Sequence, residues 1–145
     1  MHKDLVIGID SSTTATKATA WTKSGVLVAE GREAIPIANP TPGAFEQEPG
    51  DWWASTVSAL RQLLTEVDPA RVAAVSISNQ RETFGVFRDD GTPVRPAIVW
   101  LDERGHEEAE QLAKHVGPET LRRICGKPID VLLPIVRLIW LSKHQ

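Results

Sequence analysis

The sequence predicts an α/β domain with a mixed sheet, and three observations predict it. Short apolar runs open the chain, separated by tight polar turns. An amphipathic stretch follows behind Pro49-Gly50-Asp51. A further short apolar run, Val72 to Ile77, then comes after that stretch, so strands precede and follow a helix.

Leu5-Val6-Ile7-Gly8-Ile9 reads as a buried strand, and Asp10-Ser11-Ser12-Thr13-Thr14 as the polar turn that ends it. Thr16 to Thr22 alternates small or apolar with polar residues, the pattern of a second strand. Lys23-Ser24-Gly25 supplies a tight turn into a third strand, Val26 to Arg32, which makes an antiparallel meander. Prolines 36, 40, 42 and 49 crowd the next stretch, so Ala38 to Pro49 reads as a loop. The helix behind it presents Trp53, Val57, Leu60, Leu63 and Leu64 as its apolar face. Val72 to Ile77 is a buried strand running into Ser78-Asn79-Gln80-Arg81-Glu82. Phe84 to Phe87, a turn at Asp89-Asp90-Gly91 and Ala97 to Trp100 form a hairpin-like excursion. Glu103 to Leu121 is helical with a break at Gly117-Pro118, and Leu133 to His144 is a last helix with Pro134 in its first turn. No repeat and no internal domain boundary is expected.

Composition narrows the function. The chain has 145 residues, enough for one domain with a real core. A net charge of −3, with Lys and Arg scattered, speaks against nucleic acid as a partner. The longest apolar segment, Val131 to Leu141, contains Pro134 and Arg137, so no membrane span is expected. One cysteine, Cys125, excludes an internal disulfide and fits a reducing compartment; together with the lack of a signal-peptide pattern it predicts a cytoplasmic protein. Cys125 itself reads as a small buried hydrophobe. His2, His106, His115 and His144 have no metal-ligand spacing and read as solvated.

Three polar clusters carry the chemistry. Asp10 to Thr14 offers backbone amides and hydroxyls able to cradle an anion, a carboxylate able to hold Mg²⁺ through its waters, and Lys17 nearby to neutralise phosphate. The Walker A spacing is absent, and the same residues also describe an ordinary solvated turn. Ser78 to Thr83 places Gln80, Arg81 and Glu82 beyond a strand end, donors and acceptors suited to a polyhydroxylated ligand, or alternatively a surface ion pair. Ile98 to Arg104 sets Trp100 beside Asp102: an aromatic to stack on a sugar face and a carboxylate to take its hydroxyls, or a core Trp followed by a helix cap at Asp102.

Taken in order, these segments resemble the FGGY carbohydrate kinases. The carriers are Ile7 to Thr14, Phe45-Glu46-Gln47-Glu48-Pro49-Gly50-Asp51-Trp52-Trp53, Ile77 to Thr83, and Gly91 to Pro93 with Ala97 to Arg104. The glycerol kinases of that family are the closest in motif. The resemblance implies a ribonuclease H-like lobe of the actin-like ATPase fold, with ATP and Mg²⁺ as partners in phosphoryl transfer. It assigns Asp10, Ser12, Thr13, Thr14 and Lys17 to the nucleotide phosphates, with Asp10 also near Mg²⁺. It assigns Gln80, Arg81, Glu82, Trp100 and Asp102 to a small-molecule sugar or polyol. Lys17 stands where the glycerol kinases have an arginine, which keeps a cation with poorer bidentate geometry for phosphate. Leu132 stands where they have a tyrosine, which removes one hydrogen bond to glycerol and lets a larger polyol or a ketose fit as well. Xylulokinases of the family carry a Met-His pair where this chain has Arg81-Glu82, which disfavours xylulose.

The resemblance further implies that residues 1–145 are a partial N-terminal lobe, incomplete at its C-terminal end. The second lobe and the catalytic aspartate would then lie downstream. The expectation is a chain inactive alone, tending to self-associate through its C-terminal apolar residues, and a homo-oligomer at full length. Two other readings remain: a non-catalytic ligand-binding or regulatory protein that reuses the half-fold, and an actin-like ATPase acting on a protein.

Overall fold

The structure, a computed structural model, describes residues 3–145, so His2 lies outside the described residues. The chain divides into two compact units: the residues up to Ile37 with Glu48–Gln80, and Ala38–Gln47 with Arg81–Gln145. The sequence gives no hint of this division. All three crossings fall in loops or strand ends without the composition of a linker, and one runs through the Ser78 to Thr83 motif itself.

The first unit is a four-stranded mixed sheet covered by one helix. Strands β1 (Leu5–Ser11), β2 (Ala15–Thr22) and β3 (Leu27–Ala34) form the expected antiparallel meander. Gly25, at φ +81°, takes the left-handed position that closes the β2–β3 turn. Helix α1 (Pro49–Leu63) then leads through a 3₁₀ turn (Pro69–Arg71) to β4 (Val72–Asn79), which pairs parallel to β1. The order is therefore β3-β2-β1-β4. Leu5, Ile7 and Ile9 of β1, with Ala18, Ala20 and Ala29, form the core face of the sheet against Ala59 and Leu63 of α1.

Two expectations fail here for stated reasons. The buried stripe of α1 is Ser55, Ala59 and Leu63, while Trp53 is 72% exposed and Leu64 is also exposed. The helix approaches so closely that a Cβ on Gly31 would lie 1.9 Å from the Ala59 carbonyl oxygen, and such an approach selects small residues rather than large apolar ones. Strand β4 is apolar but an edge: Val75 is 55% and Ile77 67% exposed. An apolar run alone does not distinguish the two situations.

The second unit has little regular sheet. Strands β5 (Glu46–Gln47) and β6 (Ala97–Ile98) pair antiparallel, and Phe84 bridges to Ile98. The expected turn at Asp89–Gly91 is present: the Arg88 amide donates to the Thr92 carbonyl at 2.9 Å and Gly91 takes φ +83°. Helices α2 (His106–Val116), α3 (Pro118–Cys125) and α4 (Pro134–His144) complete it, with the break at Gly117 as read from sequence. Helix α2 starts at His106 with Gly105 at its cap, so Asp102 is not a helix N-cap. Gly105 lets α4 come close, since a Cβ there would meet Val136 Cγ1 at 2.7 Å. Cys125 is exposed rather than buried: it ends α3, which buries no residue, and its thiol donates to the Leu121 carbonyl at 3.0 Å. His106, His115 and His144 are exposed as expected, and His144 also stacks on Trp140 with ring centroids 5.1 Å apart. Among the described residues no helix is long and apolar enough to cross a membrane.

Candidate functional site

In the first unit the polar residues gather on the sheet face opposite α1. Register puts Asp10 beside Lys17 on one side and Ser78 on the other, and Gly8 beside Thr19 and Ser76. Because Gly8 has no side chain, the face leaves an open cavity of about 240 Å³ lined by these six residues and Ile9. Asp10 is exposed at its edge. A carboxylate flanked by hydroxyls and a lysine, with room for water, suits a hydrated divalent cation and phosphate oxygens. Among the described residues there is no cluster of three carboxylate, histidine or cysteine side chains, so a cation here would keep most of its own water.

The hairpin turn itself is locally braced. The Ser12 amide and hydroxyl both donate to the Ala15 carbonyl, at 3.0 and 2.8 Å. Thr16, fully buried, shares a 2.8 Å hydrogen bond with Ser55 of α1, which anchors the start of β2 to the helix. Thr13 and Thr14 sit at the apex, with Thr14 exposed. The Gln80 amide donates to the Ser11 carbonyl at 3.0 Å, tying the end of β4 to the end of β1. Lys17 pairs with Glu30 at 2.8 Å, both about half exposed, a contact worth about 0.2–1 kcal/mol and readily exchanged for an anionic ligand. Sequence reasoning missed Gly8, Thr19 and Ser76, and put Ser78 with the other cluster. The signal lies in strand register, because the partner of Asp10 on β4 is distant in sequence.

In the second unit Arg81, Glu82, Trp100 and Asp102 occupy loops held by charge. Arg81 is exposed, and Trp100 is 36% exposed. Glu82 has φ +64°, the left-handed conformation that non-glycine residues rarely adopt and that clusters at functional sites. Its carboxylate pairs with Lys127, and its carbonyl accepts from Arg137. Asp102, 3% exposed, accepts from the Phe45 amide at 2.8 Å through Oδ2 and from the Arg104 amide at 3.1 Å through Oδ1. Arg104 also reaches Asp102 at 2.7 Å and Glu46 at 2.8 Å, lies 4.6 Å over the Trp140 ring, and shares Glu46 with Arg95. Burial pulls the Arg104 guanidinium down, but hydrogen bonds and charge from Asp102 and Glu46 outweigh it and hold it above the ordinary arginine value.

Arg137, on the first turn of α4, is the residue the sequence reading passed over. It is 2% exposed, and it donates to three main-chain carbonyls: Glu82, Leu132 at 2.7 Å and Trp100 at 3.0 Å. Its Nε is buried with no hydrogen-bond partner. Burial draws its guanidinium below the usual arginine range, against the charges of Asp102, Glu82 and Asp130. The available signal was a lone charge inside an otherwise apolar run, which reads as a solvated helix face unless its partners are known.

Comparisons with known proteins give one family. Residues 5–145 match the FGGY family of carbohydrate kinases, N-terminal domain. A glycerol kinase from Leifsonia xyli subsp. xyli is 35% identical over 144 residues, covering 97% of this chain and 28% of its own length. A xylulose kinase from Staphylococcus xylosus is 31% identical, covering 97% of this chain and 29% of its own. The crystal structure of a xylulose kinase from Rhodospirillum rubrum superposes with a TM-score of 0.92 at 26% identity, over 97% of this chain and 29% of that one. The chain thus spans under a third of the length of the relatives it matches.

Proposed function

Since this chain belongs to the FGGY family of carbohydrate kinases, we propose that it supplies the phosphate-binding hairpin and the acceptor-binding loops of an enzyme that phosphorylates a sugar or polyol with ATP. The observation that carries this reading is the registered polar face of the first unit, where Asp10, Lys17, Thr19, Ser76 and Ser78 surround an open cavity.

In the proposed reaction a hydroxyl oxygen of the acceptor forms a bond to the γ-phosphorus as the bond to the β–γ bridging oxygen breaks, giving a phosphate ester and ADP. The hydroxyl proton passes to a base that this reading does not assign among the 145 residues. Positioning and charge stabilisation dominate such transfers. Thr13 and Thr14 offer amides and hydroxyls to the phosphates, Ser12 sets the shape of the turn, and Lys17 releases Glu30 to meet phosphate charge. Asp10 would hold a hydrated Mg²⁺, which when bound neutralises charge on the transferring phosphoryl group. Arg81 and Glu82, with Gln80, would donate to and accept from acceptor hydroxyls, and Trp100 would lie against its C–H face. Asp102, with both oxygens already occupied, would hold the loop that carries Trp100. The single, exposed Cys125 fits a reducing cytoplasm, where the full-length protein would act as a homo-oligomer. Expressed alone, the 145 residues would bind without turnover.

The test is ATP consumption by the full-length gene product, screened over polyols and ketoses, for the wild type and Asp10→Asn. The expected result is turnover with at least one acceptor and a loss of about 100-fold or more in Asp10→Asn, the order seen when a charge-stabilising group is removed. Turnover with no acceptor, or an Asp10→Asn protein as active as the wild type, would overturn the reading.

A further inference from the structure

We propose that Arg137 is a positioning residue, whose guanidinium fixes Glu82, Trp100 and Leu132 relative to one another and so sets the geometry of the acceptor-binding loops. The inference rests on the function proposed above. What supports it is the choice of partners. Arg104, a few residues from Trp100 in sequence, does what a stabilising arginine does: it pairs with two carboxylates and covers an aromatic ring. Arg137 is more deeply buried, and among the described residues no carboxylate lies within ion-pair distance of it. Its hydrogen bonds go to the carbonyls of Glu82, Leu132 and Trp100, in three segments separated by at least seventeen residues.

A charge buried among carbonyls is a costly way to fill space, and an apolar side chain of similar volume serves a core as well or better. A planar fork, by contrast, measures direction, since its N–H groups diverge at fixed angles. The segments it ties are those that carry the proposed acceptor contacts, together with Leu132. One of them is strained. Glu82 at φ +64° persists only where its surroundings over-determine it, and Arg137 on its carbonyl with Lys127 on its carboxylate are the two groups that do so. Without Arg137 on its carbonyl, Glu82 can relax to negative φ, which swings its side chain away from its present direction. Arg137 touches no acceptor in this scheme; it acts through the main chain.

The experiment compares Arg137→Met, Arg137→Gln and Arg137→Lys in the full-length gene product with the best acceptor from the screen. Melting is followed alongside kcat and KM for acceptor and for ATP. Misplacement of reacting groups by about an ångström costs roughly 100-fold. Arg137→Met is therefore expected to lower kcat/KM for the acceptor by about that factor, with the KM for ATP within about twofold of the wild type. Arg137→Lys, whose ammonium keeps the charge and three donors but not the fixed fork, is expected to recover only part of the loss. Acceptor kinetics unchanged in a folded Met or Gln variant would overturn the inference, as would acceptor and ATP parameters falling together. Should Met and Gln both fail to fold while Lys folds, Arg137 is structural and the inference is likewise overturned. A wild type without turnover on any acceptor is a different result, and it removes the proposed function itself.

Discussion

The two units bury polar groups of opposite kinds. Among the described residues, the sheet unit buries Thr16 and Ser55, both neutral and bonded to each other at 2.8 Å. The other unit buries Gln47, Asp102, Glu108 and Arg137, three of them charged. The first unit draws its precision from backbone register: a ladder places Asp10, Lys17 and Ser78 side by side. The second has two short strands and long loops, and there side chains replace the ladder: Asp102 and Arg137 each hold a main-chain amide or carbonyl from a distant segment, and Glu108 holds side chains at the end of α4. The difference teaches where each unit should be fragile. A ladder tolerates loss of a polar group but not intrusion of bulk, and a charged web tolerates the reverse.

The largest effect should come from breaking the web at its centre. Asp102→Ala strips Arg104 of one of its two carboxylates and leaves the Phe45 amide unpaired. Removing one partner of a buried ion pair costs about 3–5 kcal/mol. Urea unfolding of the variant should reveal that loss, with amide exchange accelerating in residues 38–47 and 97–104 and little changed in β1–β3. A cost below about 1 kcal/mol would mean that the loops are held by packing and not by charge.

The counterpart in the sheet unit is Gly31→Ala. The added methyl meets backbone, the Ala59 carbonyl at 1.9 Å, so α1 must move off the sheet. Overpacking of this kind costs about 1–3 kcal/mol, and the same urea measurement should find it, here with faster exchange in α1. A neutral Gly31→Ala would show that the helix–sheet spacing is softer than the contact implies.

Legibility in the sequence follows the same division. The meander, the Gly25 turn, the start of α1 at Pro49, the Gly117 break and the start of α4 at Pro134 are local, and alternation, glycine and proline announce them. The buried stripe of α1 was misjudged because hydrophobicity counts Trp53 and Leu64, while a close approach at Gly31 admits Ser55 and Ala59. Asp102 has its decisive partner at Phe45, and Arg137 has its partners at Glu82, Trp100 and Leu132. No local pattern encodes such pairings, so the residue types of the proposed acceptor cluster stand out in the sequence while the scaffold that orients them does not.

The smallest effect, and the sharpest probe of the comparison, is pH. Glu108 on α2 is 3% exposed and bonds to Lys143 and His144 at the end of α4. Burial pushes its carboxyl up, but the bonds from His144, its own backbone amide and Lys143 outweigh that and hold it below the ordinary glutamate value of 4.5. A folded-state value below the unfolded one means that the carboxylate stabilises the fold fully above about 4.5 and loses that contribution as pH falls through the lower folded value. Glu108→Gln removes the charge at every pH. Lys143 and His144 are both nearly half exposed, so the gap between wild type and variant at neutral pH should be about 1 kcal/mol or less. That gap should close on acidification, with the change in amide exchange confined to α2 and α4, because among the described residues the sheet unit buries no titratable side chain to respond. A gap that stays constant from neutral pH down to about 3 would mean that Glu108 contributes shape and not charge, and the contrast between the units would then rest on Asp102 and Arg137 alone.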